Sequence, residues 1–185
     1  MTTFAVHPLT LPCTVWQGRL TVWVLKGGEG PPLVYFHSPW GLQWDPFLGG
    51  LARHYTVYAP YLPGTGEGDP NDIYKVDSLW DLVLIMGDVL DALGLQKSAL
   101  VGHSFGGMLA LEVCAHWPER CRGLVAIAPI GLWREEHPIA NWMAVLHQQD
   151  LVRLLFRNPS SPAVAWVFPT FSDPQQQALA QAKRI

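Results

Sequence analysis

The segment Gly102-His103-Ser104-Phe105-Gly106-Gly107 constrains this chain more than any other, because it follows the apolar run 98–101 and opens a helical pattern. A strand that hands over to a helix through one residue brings the flanking backbones so close that only small residues fit two positions to either side. Gly102 and Gly106 meet that need. The spacing predicts a sharp turn with the Ser104 hydroxyl at its apex, followed by a helix whose free N–H groups and positive dipole end face the same point. An oxyanion forming there is stabilised. A glycine-rich turn with an incidental serine is the alternative, and the strand-turn-helix context disfavours it.

The remaining pattern extends this unit in both directions. Residues 14–17 and 19–26 alternate and carry β-branched and aromatic side chains, which predicts two strands joined at Gly18 and closed by the Gly/Pro-rich break 27–32. The runs 33–36, 56–59 and 124–128 are short and continuously apolar, the mark of strands buried on both faces. A helix is expected over 45–54. Prolines and glycines at 60–68 predict a long loop, and Ser78 with Asp81 forms a capping box ahead of a helix. Its apolar stripe is Leu79, Leu82, Val83, Met86, Val89, Leu90 and Leu93, and Gly94 stops it. The elbow helix runs from 105 to 117 and ends at Pro118. Strands alternating with helices predict an α/β fold: a mostly parallel central sheet with helices on both faces and active groups at the carboxyl ends of the strands. Residues 1–133 read as this core. Beyond it, 139–156 predicts one or two apolar helices, 158–162 a break, and 175–183 a weaker helix.

Composition narrows the class. Of 185 residues 49% are hydrophobic and 15% charged, against about 25% charged in ordinary domains. With nine Trp, that balance suggests a partner surface, an apolar pocket or a core lacking part of its cover. A net charge of −3 with no basic run excludes the electrostatic footprint of a nucleic-acid binder. Gly64-x-Gly66-x-Gly68 lacks the spacing of a dinucleotide loop. Cys13, Cys114 and Cys121 are odd in number and have no Cys-x-x-Cys pair, which argues against a disulfide framework or a zinc site and for a reducing compartment. No segment reaches about 18 apolar residues and the first residues carry no positive leader, so a cytoplasmic protein without a membrane span is expected.

On three features the chain resembles the α/β-hydrolase superfamily, in its esterase-like and peroxidase-like members. They are the His37 loop after one buried strand, the Pro63-Gly64-x-Gly66 loop after the next, and the elbow, over about residues 15–133. The resemblance implies a Ser-His-acid triad with Ser104 as nucleophile, and an oxyanion hole with the Phe105 N–H as one donor. Gly102, His103 and Gly106 complete the elbow. The second donor in the family is two residues after the loop histidine, here Pro39, which has no N–H, so the role falls to Trp40 or Ser38. Tyr61 replaces an aspartate that in many relatives tethers the Pro-Gly loop. The implied substrate is a small apolar acyl compound, such as a carboxyl ester, attacked without metal or organic cofactor. Trp40, Trp44, Trp133, Trp142 and Trp166 are candidates for its pocket and lid, with core packing as the alternative for each.

Serine needs a base and an orienting acid, which the family supplies in the order serine, acid, histidine. The histidines here fit poorly. His103 should point away from Ser104 as a buried histidine bonded to backbone, His116 is a dozen residues along the helix, His37 is structural, and His137 and His147 lie in the segment resembling a lid. Glu135 and Glu136 are conceivable acids but read better as charged lid residues. The expectation is therefore an N-terminal part of a hydrolase, with 134–185 a partial helical lid and the acid and histidine outside the sequence. On that reading the strand around Val125 is an uncovered edge prone to self-association. The alternative function is a non-catalytic, hydrolase-like binding protein.

Overall fold

A computed structural model of the chain describes residues 7–141 and 144–168. Among these, strands β1 (Leu9–Val15), β2 (Leu20–Gly27), β3 (Pro32–Phe36), β4 (Thr56–Pro60), β5 (Ser98–His103) and β6 (Cys121–Ile127) form one sheet in the order β1-β2-β4-β3-β5-β6. The pairs β1/β2 and β2/β4 are antiparallel; β4/β3, β3/β5 and β5/β6 are parallel. Two register pairs position the site: Phe36 opposite Gly102 and His103 opposite Ile127. The carboxyl ends of β3, β5 and β6 therefore lie side by side.

Side chains alternate across the central strands, as the two-residue period requires. Val34, Phe36 and Leu100 join a core with α2 (Leu79–Ala92) and α3 (Phe105–His116), while Leu33, Val57 and Val101 join one with Leu48 of α1 (Pro46–Leu51). Both faces are thus covered, which is why these runs carry no polar alternation. The capping box forms as expected, with Asp81 N–H donating to Ser78 Oγ at 3.2 Å and Ser78 N–H to Asp81 Oδ2 at 3.0 Å. Asp45 caps α1 rather than belonging to it, accepting from Leu48 N–H at 2.9 Å.

The opening strand departs from expectation. β1 begins at Leu9 and ends at Val15, while Trp16 and Gln17 turn left-handed with Gly18. Pro12 sits inside this strand, which an edge position tolerates because one side of the ladder is unpaired. The cysteines need a plainer correction. Cys114 and Cys121 are paired as a disulfide, their Cα atoms 5.6 Å apart, and Cys13 is free and buried. The tight 3₁₀ turn Pro118–Arg120 returns the end of α3 to the start of β6 and brings the two together, a proximity that an odd cysteine count does not reveal.

The chain divides into two compact units, Met1–Leu132 and Trp133–Ile185. In the second, α-helix among the described residues is α4 (Gln148–Leu155) and α5 (Pro162–Val167), α4 being shorter than the 139–156 expected. Ile139 and Leu146 are exposed, so a helix running through them gains no packing from these two side chains. Ser161 caps α5 at the expected break, accepting from Ala163 N–H at 3.3 Å. The helix expected at 175–183 lies outside the described residues. No helix among the described residues is long and apolar enough to cross a membrane.

Candidate active site

Ser104 stands alone between the last residue of β5 and the first of α3, with φ 57° and ψ −115°. A non-glycine residue held there costs of order 1–3 kcal/mol and persists only where its surroundings over-determine it. Here they do. The Ser104 N–H donates to the Ile127 carbonyl at 2.9 Å, and the Ser104 carbonyl accepts from Met108 N–H at 3.1 Å and Ile130 N–H at 3.3 Å. A Cβ on Gly102 would meet Gly107 Cα at 2.7 Å, and one on Gly106 would meet the His37 carbonyl oxygen at 2.5 Å and the Phe36 carbonyl closer still. The glycines are needed for close approach, as their spacing implied. Ser104 is half-buried, its side chain makes no capping hydrogen bond, and the Phe105 N–H has no intramolecular partner among the described residues.

Gly106 presses the elbow against the loop that leaves β3. That loop closes as a turn in which Gly41 N–H donates to the Ser38 carbonyl at 3.2 Å. Pro39 and Trp40 are its exposed central residues; Ser38 is buried. Neither Ser38 N–H nor Trp40 N–H has an intramolecular partner among the described residues. His37 anchors the loop from beneath and is 2% exposed. Its Nδ1 lies 2.6 Å from the Ser38 carbonyl, and its Nε2 accepts from Leu62 N–H at 3.2 Å. A carbonyl only accepts and an amide N–H only donates, so the ring is the neutral Nδ1-protonated tautomer. Burial lowers its pKa, with the Ser38 carbonyl opposing. The histidine is structural.

The loop after β4 is held by the aromatic ring of Tyr61. Gly66, with φ 65°, lies so close to Tyr61 that a Cβ would meet ring carbons at 2.5 and 2.6 Å. Tyr61 N–H donates to the Trp23 carbonyl at 2.8 Å, and its ring meets His37 edge-on with centroids 6.4 Å apart. Burial and the charge of Glu67 raise the Tyr61 pKa. Sequence reasoning missed this packing role; the signal was an aromatic residue just ahead of Pro-Gly-x-Gly, where backbone without Cβ lets a ring lie flat.

Of the titratable candidates in the first unit, neither His103 nor His116 is hydrogen-bonded to Ser104. His103 is half-buried, but its ring has no hydrogen bond among the described residues, contrary to the backbone-bonded reading. The period of two turns its side chain to the opposite face from Gly102, so no backbone partner follows from strand position alone. The His116 ring bonds the Glu112 carbonyl at 2.8 Å and meets Trp80 at 4.3 Å, at the far end of α3. Glu135, Glu136, His137 and His147 are exposed, and Glu136 lies 3.7 Å from Arg134. Trp40 and Trp133 are also exposed, while Trp44 is half-buried against the α1 core with its Nε1 unpaired. Trp142 and the side chain of Trp166 lie outside the described residues. A cleft of about 440 Å³ in the second unit is lined by Gln148, Gln149, Val152, Arg153 and Pro159, none of them an expected site residue.

Comparison with known proteins adds to this geometry. The model of the alpha/beta hydrolase fold family matches residues 23–179. Over 112 residues the chain is 35% identical to 2-hydroxy-6-oxo-2,4-heptadienoate hydrolase of Pseudomonas putida, covering 57% of this chain and 40% of that protein. Over 124 residues it is 32% identical to pimeloyl-[acyl-carrier protein] methyl ester esterase of Aeromonas salmonicida, covering 64% of this chain and 46% of that one. The crystal structure of naproxen esterase (carboxylesterase NP) from Bacillus subtilis superposes with a TM-score of 0.66 over 97% of this chain and 63% of that one, at 19% identity, a likeness of fold. The chain spans less than half the length of the two curated relatives.

Proposed function

Because the chain belongs to the α/β-hydrolase fold family, we propose that it carries the nucleophile of a serine hydrolase acting on a carboxyl ester or related apolar acyl compound. Ser104 Oγ attacks the carbonyl carbon, and a base takes its proton. The carbonyl oxygen becomes an oxyanion facing the Phe105 N–H, with Trp40 N–H in the Ser38–Gly41 turn as second donor and Ser38 N–H as the alternative. The bond to the leaving group breaks, the leaving group takes up the proton, and water then releases the acid from Ser104. This chemistry asks for neither metal nor organic cofactor. The observation that carries the reading is the backbone of Ser104, held at φ 57° against the free start of α3.

Three further observations support its details. Trp40, Phe47, Ile130 and Leu132 are all exposed on segments that follow the carboxyl ends of β3 and β6, an apolar rim suited to an acyl chain. Among the named relatives, one is a methyl ester esterase and one a 2-hydroxy-6-oxo-2,4-heptadienoate hydrolase, and an ester and an oxo compound each carry a carbonyl group. The short helices α4 and α5 fit a helical lid segment over 134–185. The base and acid are assigned to sequence outside these 185 residues, since none of the described histidines is bonded to Ser104 and the matched part spans only 40% and 46% of the two relatives. β6, an edge strand with Val125 55% exposed, is the surface through which this chain self-associates. The cytoplasm stays the proposed compartment, where a disulfide stands against a reducing thiol pool and is therefore reversible.

A second reading has an observation of its own: Ser104 Oγ has no hydrogen-bonded base among the described residues, as in a binding protein that keeps the fold without turnover. Hydrolysis of a medium-chain p-nitrophenyl ester separates the two. The chain joined to any coding sequence that follows Ile185 should turn the ester over and Ser104→Ala should not. Equal rates for both, with the ester still bound, would favour the binding role.

A further inference from the structure

Helix α3 and strand β6 form a closed frame with the elbow at one corner. At that corner the Ile127 carbonyl, at the end of β6, accepts the Ser104 N–H at 2.9 Å, and Ile130 N–H returns to the Ser104 carbonyl at 3.3 Å. At the opposite corner Cys114, in the last turn of α3, is joined to Cys121, the first residue of β6. The β5/β6 ladder is irregular at this same corner. Ser98 pairs with Cys121 but Ala99 pairs with Gly123, so Arg122 is an extra residue bulged out of the ladder. A bulge is where register is decided, and a slip of one residue would carry every later side chain of β6 to the other face and move the Ile127 carbonyl away from Ser104. Cys13 is buried on β1 and takes no part.

We propose that the Cys114–Cys121 disulfide is a reversible clasp that pins the bulge at Arg122, fixes the register of β6, and so positions the Ser104 elbow. Both cysteines are half-buried, within reach of a small thiol or disulfide. The clasp closes by exchange with a small-molecule disulfide such as oxidised glutathione. One cysteine thiolate displaces one glutathione thiolate to give a mixed disulfide. The second cysteine thiolate then attacks the protein sulfur of that bond and expels the other. The two protein sulfurs are oxidised, one glutathione disulfide is reduced to two thiols, and the two cysteine protons end on the expelled thiolates. Excess thiol runs the same steps backward. The seven-residue separation keeps the second cysteine close to the mixed disulfide, so closure is intramolecular.

The test uses the full chain and needs no substrate, so it is independent of the hydrolase reading. After equilibration with oxidised glutathione, alkylation in denaturant should find one free thiol, Cys13, and three after reduction. Three free thiols in the equilibrated protein would overturn the pairing. Amide hydrogen exchange then compares oxidised and reduced protein. A disulfide that only stabilises the whole domain speeds the Ser104, Ile130 and central Val34 amides by one common factor. A clasp on the elbow speeds Ser104 and Ile130 by about tenfold beyond Val34. A common factor, or no change, would overturn the positioning role. Cys114→Ser with Cys121→Ser should repeat the reduced pattern; if that variant does not fold, reduction of the unaltered chain still decides.

Discussion

Gly106→Ala adds one methyl group where α3 presses on the end of β3. The backbone of Gly106 is not left-handed, so alanine is conformationally acceptable there and, inside a helix, is favoured over glycine by about 0.5–1 kcal/mol. The space is not acceptable. The new carbon would meet the Phe36 carbonyl carbon and oxygen and, at 2.5 Å, the His37 carbonyl oxygen, all of them backbone atoms that no rotamer can move aside. Relieving this requires the loop to back away by most of an ångström, and overpacking of that kind costs about 1–3 kcal/mol. Net destabilisation of roughly 1–2 kcal/mol should lower the melting temperature by about 4–7 °C for a unit of this size. Gly123→Ala is the matched control, since nothing lies within 4 Å of a Cβ there. Calorimetry of the two variants beside the parent checks the stability, and the rate of ester hydrolysis by the chain joined to any downstream coding sequence checks that the displaced loop carries the second oxyanion donor, with a loss of about 10²-fold or more expected. If Gly106→Ala melts and reacts like Gly123→Ala, the elbow is not crowded and the argument from glycine spacing fails.

Other perturbations test separate parts of the account. His37 has a folded pKa below its ordinary value, so the unfolded chain binds the proton first; stability is complete above about pH 6.5 and falls as pH drops toward the folded pKa. The urea midpoint should decrease between about pH 7.5 and 5.5, and less so in His37→Asn, whereas a midpoint that rises on acidification would contradict the neutral, Leu62-bonded ring. Ser78→Ala removes one half of the capping box on α2 and should cost about 1 kcal/mol by denaturant titration. Val125→Lys places a charge on the free edge and should shift sedimenting material toward monomer, with no shift expected if β6 is not the contact.

Much of the architecture was readable because it rests on local constraints. The elbow required glycine at 102 and 106 for steric reasons, and continuous apolar runs identified β3 and β4 because both sheet faces are covered there; the run at 124–128 located β6 too, but as an edge strand with Val125 exposed it is not buried on both faces as the run implied. The features that escaped reading depend on partners distant in the fold or on position within the sheet. Pro12 obscured the first half of β1, whose tolerance for proline follows from its edge location. The Cys114–Cys121 bond depends on how tightly Pro118–Arg120 turns. Tyr61 acts through a contact with Gly66, and the His37–Leu62 bond spans two loops that only the sheet brings together. α4 starts late, at Gln148, where Ile139 and Leu146 ahead of it are exposed, which periodicity alone could not register.

The central claim is that the Ser104 hydroxyl is a nucleophile, and its most direct test is peptide mapping after treatment with a fluorophosphonate. The account predicts the added mass on Ser104 and nowhere else in the chain joined to any downstream coding sequence, no addition in Ser104→Ala, and labelling of the 185-residue chain alone slower by about 10³-fold or more for want of its base. Labelling of another residue, or an unlabelled Ser104 in the longer protein, would contradict it.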